Sequence, residues 1–305
     1  MDIIAQVLRG GLVEKDIRKS VIAGTWYPGN PSILRADIEK LLHNVPGGKI
    51  EGTITGLIVP HAGYVYSGQV AAYAYKMIKG ETFDAVILLG PSHRTFFRGV
   101  SIYDRGGYET PLGVVPVNVS LATDIMAQSK MISYIPSAHS QEHSLEIQIP
   151  FLQVVLGEFH FVPLVLGDQD YQTCITLAES IVRAISNRRV LIVGSSDLSH
   201  FHSYERAVNL DSIVLQRIEK MDAGGLLKDL EENVSEACGG GPAAVTMMVC
   251  KKLGSDRAKI LKYANSGDVT GDRGSVVGYA SAVLYKARNP QSILREKRLG
   301  GISRC

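Results

Sequence analysis

The stretch DAVILLGPSHR, Asp84 to Arg94, carries an apolar run of strand length that closes on a glycine, a proline and a histidine. The same form recurs in TITGLIV, Thr53 to Val59, which opens into Pro60-His61, and in FHFVPLVL, Phe159 to Leu166. It recurs again in RVLIV, Arg189 to Val193, which opens into Gly194-Ser195-Ser196-Asp197-Leu198-Ser199-His200. Ala258 to Ala264 and Ser275 to Tyr285 read as a last pair of strands. Between them lie amphipathic stretches of helical length: 32–43, 67–78, 120–128, 144–156, 171–185, 204–221 and 242–253. Several begin on a serine or proline, as an N-cap or first-turn residue does. Strands alternating with helices describe an α/β fold built on a layered sheet. The segment GVSIYDRGGYETPLGVVPVNV, Gly99 to Val119, reads as a hairpin excursion, and residues 1–18 and 286–305 read as an N-terminal extension and a basic C-terminal tail.

Composition narrows the function classes. The chain has 305 residues, 45% of them hydrophobic and 20% charged, which suits a globular protein with a large core and excludes disordered or fibrous classes. With 32 Lys and Arg against 30 Asp and Glu, the formal charge of +2 does not call for nucleic acid or an anionic membrane, so the expected partner is a small molecule or a protein. The apolar runs fall far short of the ~20 residues of a membrane span, and the start MDIIAQVLRGGLVEKDIRK carries acidic residues early and no apolar run followed by a small-residue cleavage site, so it does not read as a secretory signal and a cytoplasmic location is expected. Cys174, Cys238, Cys250 and Cys305 are irregularly spaced with no CxxC pair, and no disulfide framework is expected.

In open α/β sheets ligands gather beyond the carboxyl ends of strands, and three strands here deliver a histidine just past that end: His61, His93 and His200. A lone histidine there is most often a surface or capping residue; three at equivalent places point to a shared site. Cys238 stands in a glycine-rich loop before a helix whose first amides are expected to lower its pKa, making it a nucleophile or a metal ligand. Cys174 and Cys250, inside helical stretches, read as buried thiols. The cluster His139 to Glu146 either brings Glu142, His143 and Glu146 to the rim of the site or is a capping segment with Ser144 as N-cap. Gly239-Gly240-Gly241 lacks the Lys-Ser/Thr of a P-loop, no HEXXH is present, and Ser195 and Ser196 lack a GxSxG elbow.

These segments resemble the Memo family, known in bacteria and archaea as the B component of the AmmeMemoRadiSam system. The resemblance runs from about Ile17 to Tyr285 and rests on AGTWYP (23–28), PHAGYVYSG (60–68), LGPSHR (89–94), TPLG (110–113), EHSLEIQIPF (142–151), SSDLSH (195–200) and the Cys238 loop. It implies a fold similar to the class III (LigB-type) extradiol dioxygenases, a single three-layer αβα domain with a mixed central sheet over residues 19–285. It also implies metal ligation by His61, His93 and Cys238, with His200 and Asp197 beside the metal. A thiolate replaces the carboxylate of the dioxygenases, so Fe(II) is the expected cofactor while Cu and Zn are also accommodated. Animal Memo proteins are described as phosphotyrosine-peptide binders; Trp26, His61, Tyr66, His93, His200 and Cys238 match that pocket, but Tyr204 replaces its arginine.

Two readings follow. In the first the chain is a redox or oxygen-handling metalloprotein related to the dioxygenases, with His200 as general base or proton donor oriented by Asp197. In the second it is a binding module for a peptide or protein, with Trp26, Tyr64 and Tyr66 as walls and His143 at the rim, and with the system's radical-SAM and AMMECR-like components as expected partners. A zinc hydrolase is a lesser option. Leu226, Leu227 and Leu230 suit an interface or the core equally.

Overall fold

A computed structural model describes residues 16–288, so most of both expected appendages lies outside the described residues. The strands are β1 (Ile17–Arg18), β2 (Gly52–Val59), β3 (Ala85–Pro91), β4 (Val100–Ile102), β5 (Gly107–Thr110), β6 (Gly113–Pro116), β7 (Ile132–Ser133), β8 (Phe161–Leu166), β9 (Val190–Ser195), β10 (His200–His202), β11 (Arg257–Asn265) and β12 (Val276–Ala287). Nine of them make one sheet of order β10-β12-β2-β9-β3-β8-β4-β7, with β11 added on β12; β1, β5 and β6 make a smaller one. The four at the centre, β2, β9, β3 and β8, are parallel, whereas β12 joins β2 and β4 joins β8 in antiparallel fashion. All of β3, β8 and β9 is buried, which is why those segments read as unbroken apolar runs: helices cover both faces.

The longer helices are α1 (Pro31–His43), α2 (Gln69–Met77), α3 (Val119–Met126), α4 (Ile149–Leu156), α5 (Tyr171–Ile185), α6 (Tyr204–Glu219), α7 (Ala223–Glu231) and α8 (Gly240–Lys252). The helices α1, α2 and α4 pack together in one outer layer, and α3, α5, α7 and α8 pack together in the other. This is the three-layer αβα arrangement around a mixed sheet that the resemblance implied.

Several local expectations change. The caps are Asn30, Asn118, Asp170 and Asp222, each accepting hydrogen bonds from first-turn amides, and the serines inside those helices are not caps. The helix expected over 144–156 is broken: Glu146–Gln148 is a 3₁₀ turn, and α4 starts at Ile149 because Pro150 is tolerated only in a first turn. Ser144 is not its N-cap; its hydroxyl donates to the Pro91 carbonyl at 3.1 Å. The helix expected over 67–78 is preceded by a π-type turn at Tyr64–Gly68. In α7, Leu226 and Leu227 are buried and Leu230 packs against the core, so these leucines are core residues. Within the excursion, β5 and β6 form the expected hairpin, but β4 belongs to the main sheet. Ile17 and Arg18, expected in the extension, pair with β5, and Arg18 is buried.

Candidate metal centre

His61 and His93 follow β2 and β3 by two residues each, and β9 runs between those strands and ends at the same level, Val59 standing opposite Ser195. Cys238 is brought over this edge by a close approach of backbones. A Cβ on Gly239 would collide with the Ser195 carbonyl oxygen, so only glycine lets the loop rest there. Gly194, the residue before Ser195 on β9, serves the same purpose, since a Cβ there would lie 2.9 Å from the Pro242 carbonyl of α8.

Cys238 Sγ stands 3.0 Å from His61 Nε2, and the His61 and His93 rings meet edge to face with centroids 5.1 Å apart. One donor atom from each of His61, His93 and Cys238 lies within 4.8 Å of the others, a spacing that one first-row ion with bonds of about 2.0–2.3 Å bridges after small side-chain adjustments. Two imidazoles and a thiolate are a borderline-soft set that suits iron, copper or zinc better than magnesium or calcium. The rings also have outer partners, as metal-binding histidines do. His93 Nδ1 lies 2.9 Å from Glu142 Oε1, and His61 Nδ1 lies 3.0 Å from Ser195 Oγ.

A second group, His93, Glu142 and His143, is also close enough for one ion. Its carboxylate already serves four donors. Glu142 Oε1 takes the His93 ring and the amides of His143 and Ser144, all at 2.9 Å, and Oε2 takes the His93 amide at 2.6 Å. Burial opposes charge on this group, yet those donors hold its pKa down at about 2. Glu142 thus holds His93 by both its ring and its amide.

His61 and His93 open into a cavity of about 480 Å³ whose wall also includes Trp26, Tyr66, His143, Asp197 and His200. His143 is sandwiched by Trp26 (centroids 4.4 Å) and His93 (4.5 Å, nearly parallel), and burial pulls its pKa down to about 4. Burial also lowers His61 and, more modestly, His200, so these imidazoles are neutral. Among the described residues, the cavity collects imidazole nitrogens with no Lys or Arg in its wall.

Other expectations need correction. Asp197 does not orient His200: its Oδ1 accepts from the His61 amide at 2.7 Å, burial raises its pKa to about 7, and His200 Nδ1 instead donates to the Leu198 carbonyl at 2.8 Å. Tyr64 does not line this cavity but a neighbouring one, together with Trp26 and Val65. It is buried against Phe151 and Tyr27, with its hydroxyl donating to the Ile147 carbonyl. Glu146 is away from the rim, fully buried and paired with Arg18. The thiol of Cys238 is pushed up by burial and then by the Asp197 charge, and the helix amides expected to lower it offset this only partly.

Sequence reasoning missed Arg18, Ser195 and Gln148 as supports of the site. Arg18 donates to the carbonyls of His139 (2.9 Å) and Glu142 (2.6 Å), tying the start of the described chain to the loop behind His93. An arginine followed within nine residues by the AGTWYP motif gives no signal of that pairing, because its partners lie more than 120 residues away.

The sequence model of the Memo-like protein family matches residues 18–283. The chain is 36% identical over 280 residues to a MEMO1 family protein of Methanopyrus kandleri, covering 88% of this chain and 99% of that one. It is 39% identical over 280 residues to one from Methanobrevibacter smithii (88% and 99%) and 38% identical over 270 residues to one from Nitrosopumilus maritimus (87% and 98%). Among solved structures, an uncharacterized protein from Escherichia coli K12 shares the fold with a TM-score of 0.51 at 12% identity, covering 75% of this chain and 99% of that one.

Proposed function

Because the chain belongs to the Memo family, we propose that it is a metal-binding protein whose His61, His93 and Cys238 hold a redox-active ion, Fe(II) in the first place, with copper and zinc as the ions the thiolate also admits. The observation that carries this reading is the convergence of two imidazoles with satisfied outer nitrogens and one half-buried sulfur, with both imidazoles in the wall of a cavity of about 480 Å³. The metal would supply an exchangeable position for a substrate or an oxygen species together with one-electron chemistry.

The protein's own residues do the rest. His200 is neutral and donates Nδ1–H to the Leu198 carbonyl, so Nε2 is the free base, and we assign it to take a proton from a bound substrate. Trp26, His143 and Tyr66 supply flat walls against which an aromatic or conjugated group packs. Asp197 acts through the backbone, holding the His61 amide.

One observation favours a second reading, a peptide- or protein-binding module using the same cleft. Val65 (71% exposed) and Tyr66 line the cavity, and the ring of Phe201 (76%) meets that of His200 with centroids 5.7 Å apart. Exposed apolar groups gathered at one mouth suit a docking partner, and the radical-SAM and AMMECR-like proteins of the same system are the partners we would try.

The deciding experiment is iron, copper and zinc content in protein purified without oxygen, for wild type, Cys238→Ala and His93→Ala. Stoichiometric metal lost in both variants supports the metalloprotein reading. Unchanged metal content in Cys238→Ala overturns the ligand assignment, and no metal in wild type turns the case to the docking reading.

A further inference from the structure

We infer that Ser195 and Gln148 are positioning residues that fix His61 in its Nδ1–H tautomer, so that the bare Nε2 faces the site before any metal arrives. The inference rests on the metal-centre reading above only for its use; the tautomer itself follows from counting hydrogens in a sealed network.

Every member is buried: His61 2% exposed, Ser195 0%, Gln148 1%, Ser144 0% and Tyr75 0%. The carboxamide of Gln148 has one allowed orientation, because its nitrogen lies 2.9 Å from the Pro60 carbonyl, which can only accept. Its oxygen meets the Tyr75 hydroxyl at 2.8 Å, and its remaining N–H donates to Ser195 Oγ at 2.8 Å. The single Ser195 proton donates to the Ser144 carbonyl at 2.7 Å. Ser195 Oγ has then spent its hydrogen and one lone pair, and the lone pair left faces His61 Nδ1 at 3.0 Å, which must donate.

The other tautomer would set a ring lone pair against the Ser195 oxygen. To relieve that, the hydroxyl would have to turn away from the Ser144 carbonyl, leaving a buried acceptor without this donor. On the far side of the ring the contact agrees: Cys238 Sγ, 3.0 Å from Nε2, is placed to donate its S–H to a bare nitrogen. The two imidazoles are therefore set by different chemistry, His93 by the carboxylate of Glu142 and His61 by a neutral hydroxyl whose own geometry is locked from behind. Ser195, unsuited to nucleophilic work because its proton and lone pairs are all engaged, acquires a role through His61.

The test uses the full-length, metal-free protein with 15N-labelled histidine. Long-range 1H–15N spectra report the tautomer of each ring, His61 being assigned by its loss in His61→Gln, and the buried His139 resonance reports that each variant is folded. Cobalt(II) titration, read by the thiolate charge-transfer band, reports affinity. We expect wild type and Ser195→Thr to show His61 as Nδ1–H. We expect Ser195→Ala, and to a lesser extent Gln148→Met, to shift it toward Nε2–H and to weaken cobalt binding about 10- to 100-fold, with the His93 tautomer unmoved. An Nε2–H tautomer in wild type, or a folded Ser195→Ala protein with the wild-type tautomer, would overturn the inference. A tautomer that shifts as expected in a protein taking up no cobalt would uphold the positioning role and overturn the metal reading alone.

Discussion

Replacing Glu146 by glutamine changes one atom in a carboxylate that serves only donors. Its Oε1 accepts from Ser20 Oγ (2.5 Å), Tyr27 Oη (2.7 Å) and the amides of Val21 (3.1 Å) and Ile22 (3.2 Å), while Oε2 takes the Arg18 guanidinium and the Val21 amide at 3.0 Å. With its NH2 on the Oε2 side a glutamine meets only donors, the Arg18 guanidinium and the Val21 amide; turned the other way, the Ser20 and Tyr27 hydroxyls can accept from it but the Val21 and Ile22 amides cannot. Arg18, whose side chain is 4% exposed, is left without a counter-charge. Breaking a buried pair in this way costs about 3–5 kcal/mol, on the order of 10 °C in Tm for a chain of this length. The single tryptophan, Trp26, sits in the segment that Glu146 holds. Urea unfolding at pH 7 followed by its fluorescence and by far-UV circular dichroism should therefore give coincident curves in wild type and an earlier fluorescence transition in Glu146→Gln. Adding Arg18→Met should recover some of the loss, because the stranded charge goes with it. A loss below about 1 kcal/mol, or a double variant worse than the sum of the single ones, would refute this account of the clasp.

Glu142→Gln should weaken metal binding about 10- to 100-fold by replacing a charged acceptor of the His93 ring with a neutral one, and unchanged cobalt affinity would contradict that role. Gly239→Ala should displace the Cys238 loop, lowering cobalt affinity more than about tenfold and stability by about 1–3 kcal/mol; an unperturbed charge-transfer titration would show that the loop yields freely. His139 is held near pKa 3 by burial and then by Arg18, against 6.5 for the free side chain. Its folded pKa is depressed, so its contribution to stability is full above pH 6.5 and is lost as pH falls toward 3, and His139→Gln should flatten the stability–pH curve of the metal-free protein in that window. Phe201 holds φ of +62° with its ring exposed, so Phe201→Gly should stabilise the fold by up to about 1 kcal/mol, and a destabilised variant would mean that the ring packs usefully.

The central strands are legible in the sequence because burial on both faces leaves unbroken apolar runs, and His61, His93 and Cys238 are legible because their loops stand where strands end or a helix begins. What stays hidden is everything set by contacts distant in sequence. Glu142 reads as a rim residue or as part of a segment capped by Ser144 because nothing in EHSLE says that its oxygens face His93, some fifty residues earlier. Ser195 reads as a serine without a nucleophile's setting, and its place beside Gln148 exists only once β9 and the turn before α4 have met. The helix α7 is masked by Gly224 and Gly225, which weaken helical propensity and are tolerated here because Asp222 caps the turn and the leucines behind it are buried. The Cys238 thiol shifts in the opposite sense to the sequence expectation because the loop's burial is a tertiary fact, and burial outweighs the amides next to it.

The order of the central strands also bears on how the protein is made. His61 and His93 emerge from the ribosome early and close together, but the strand that separates β2 from β3 in the finished sheet is β9, synthesised about a hundred residues later. Until it arrives β2 and β3 are free to pair directly at about 4.8 Å, half their final separation. An ion captured by the two imidazoles at that stage would clamp the wrong neighbours together. On the proposed site, holding back the sulfur until residue 238 would leave the nascent pair a weak chelator, and tight loading would wait until β9 stands between β2 and β3.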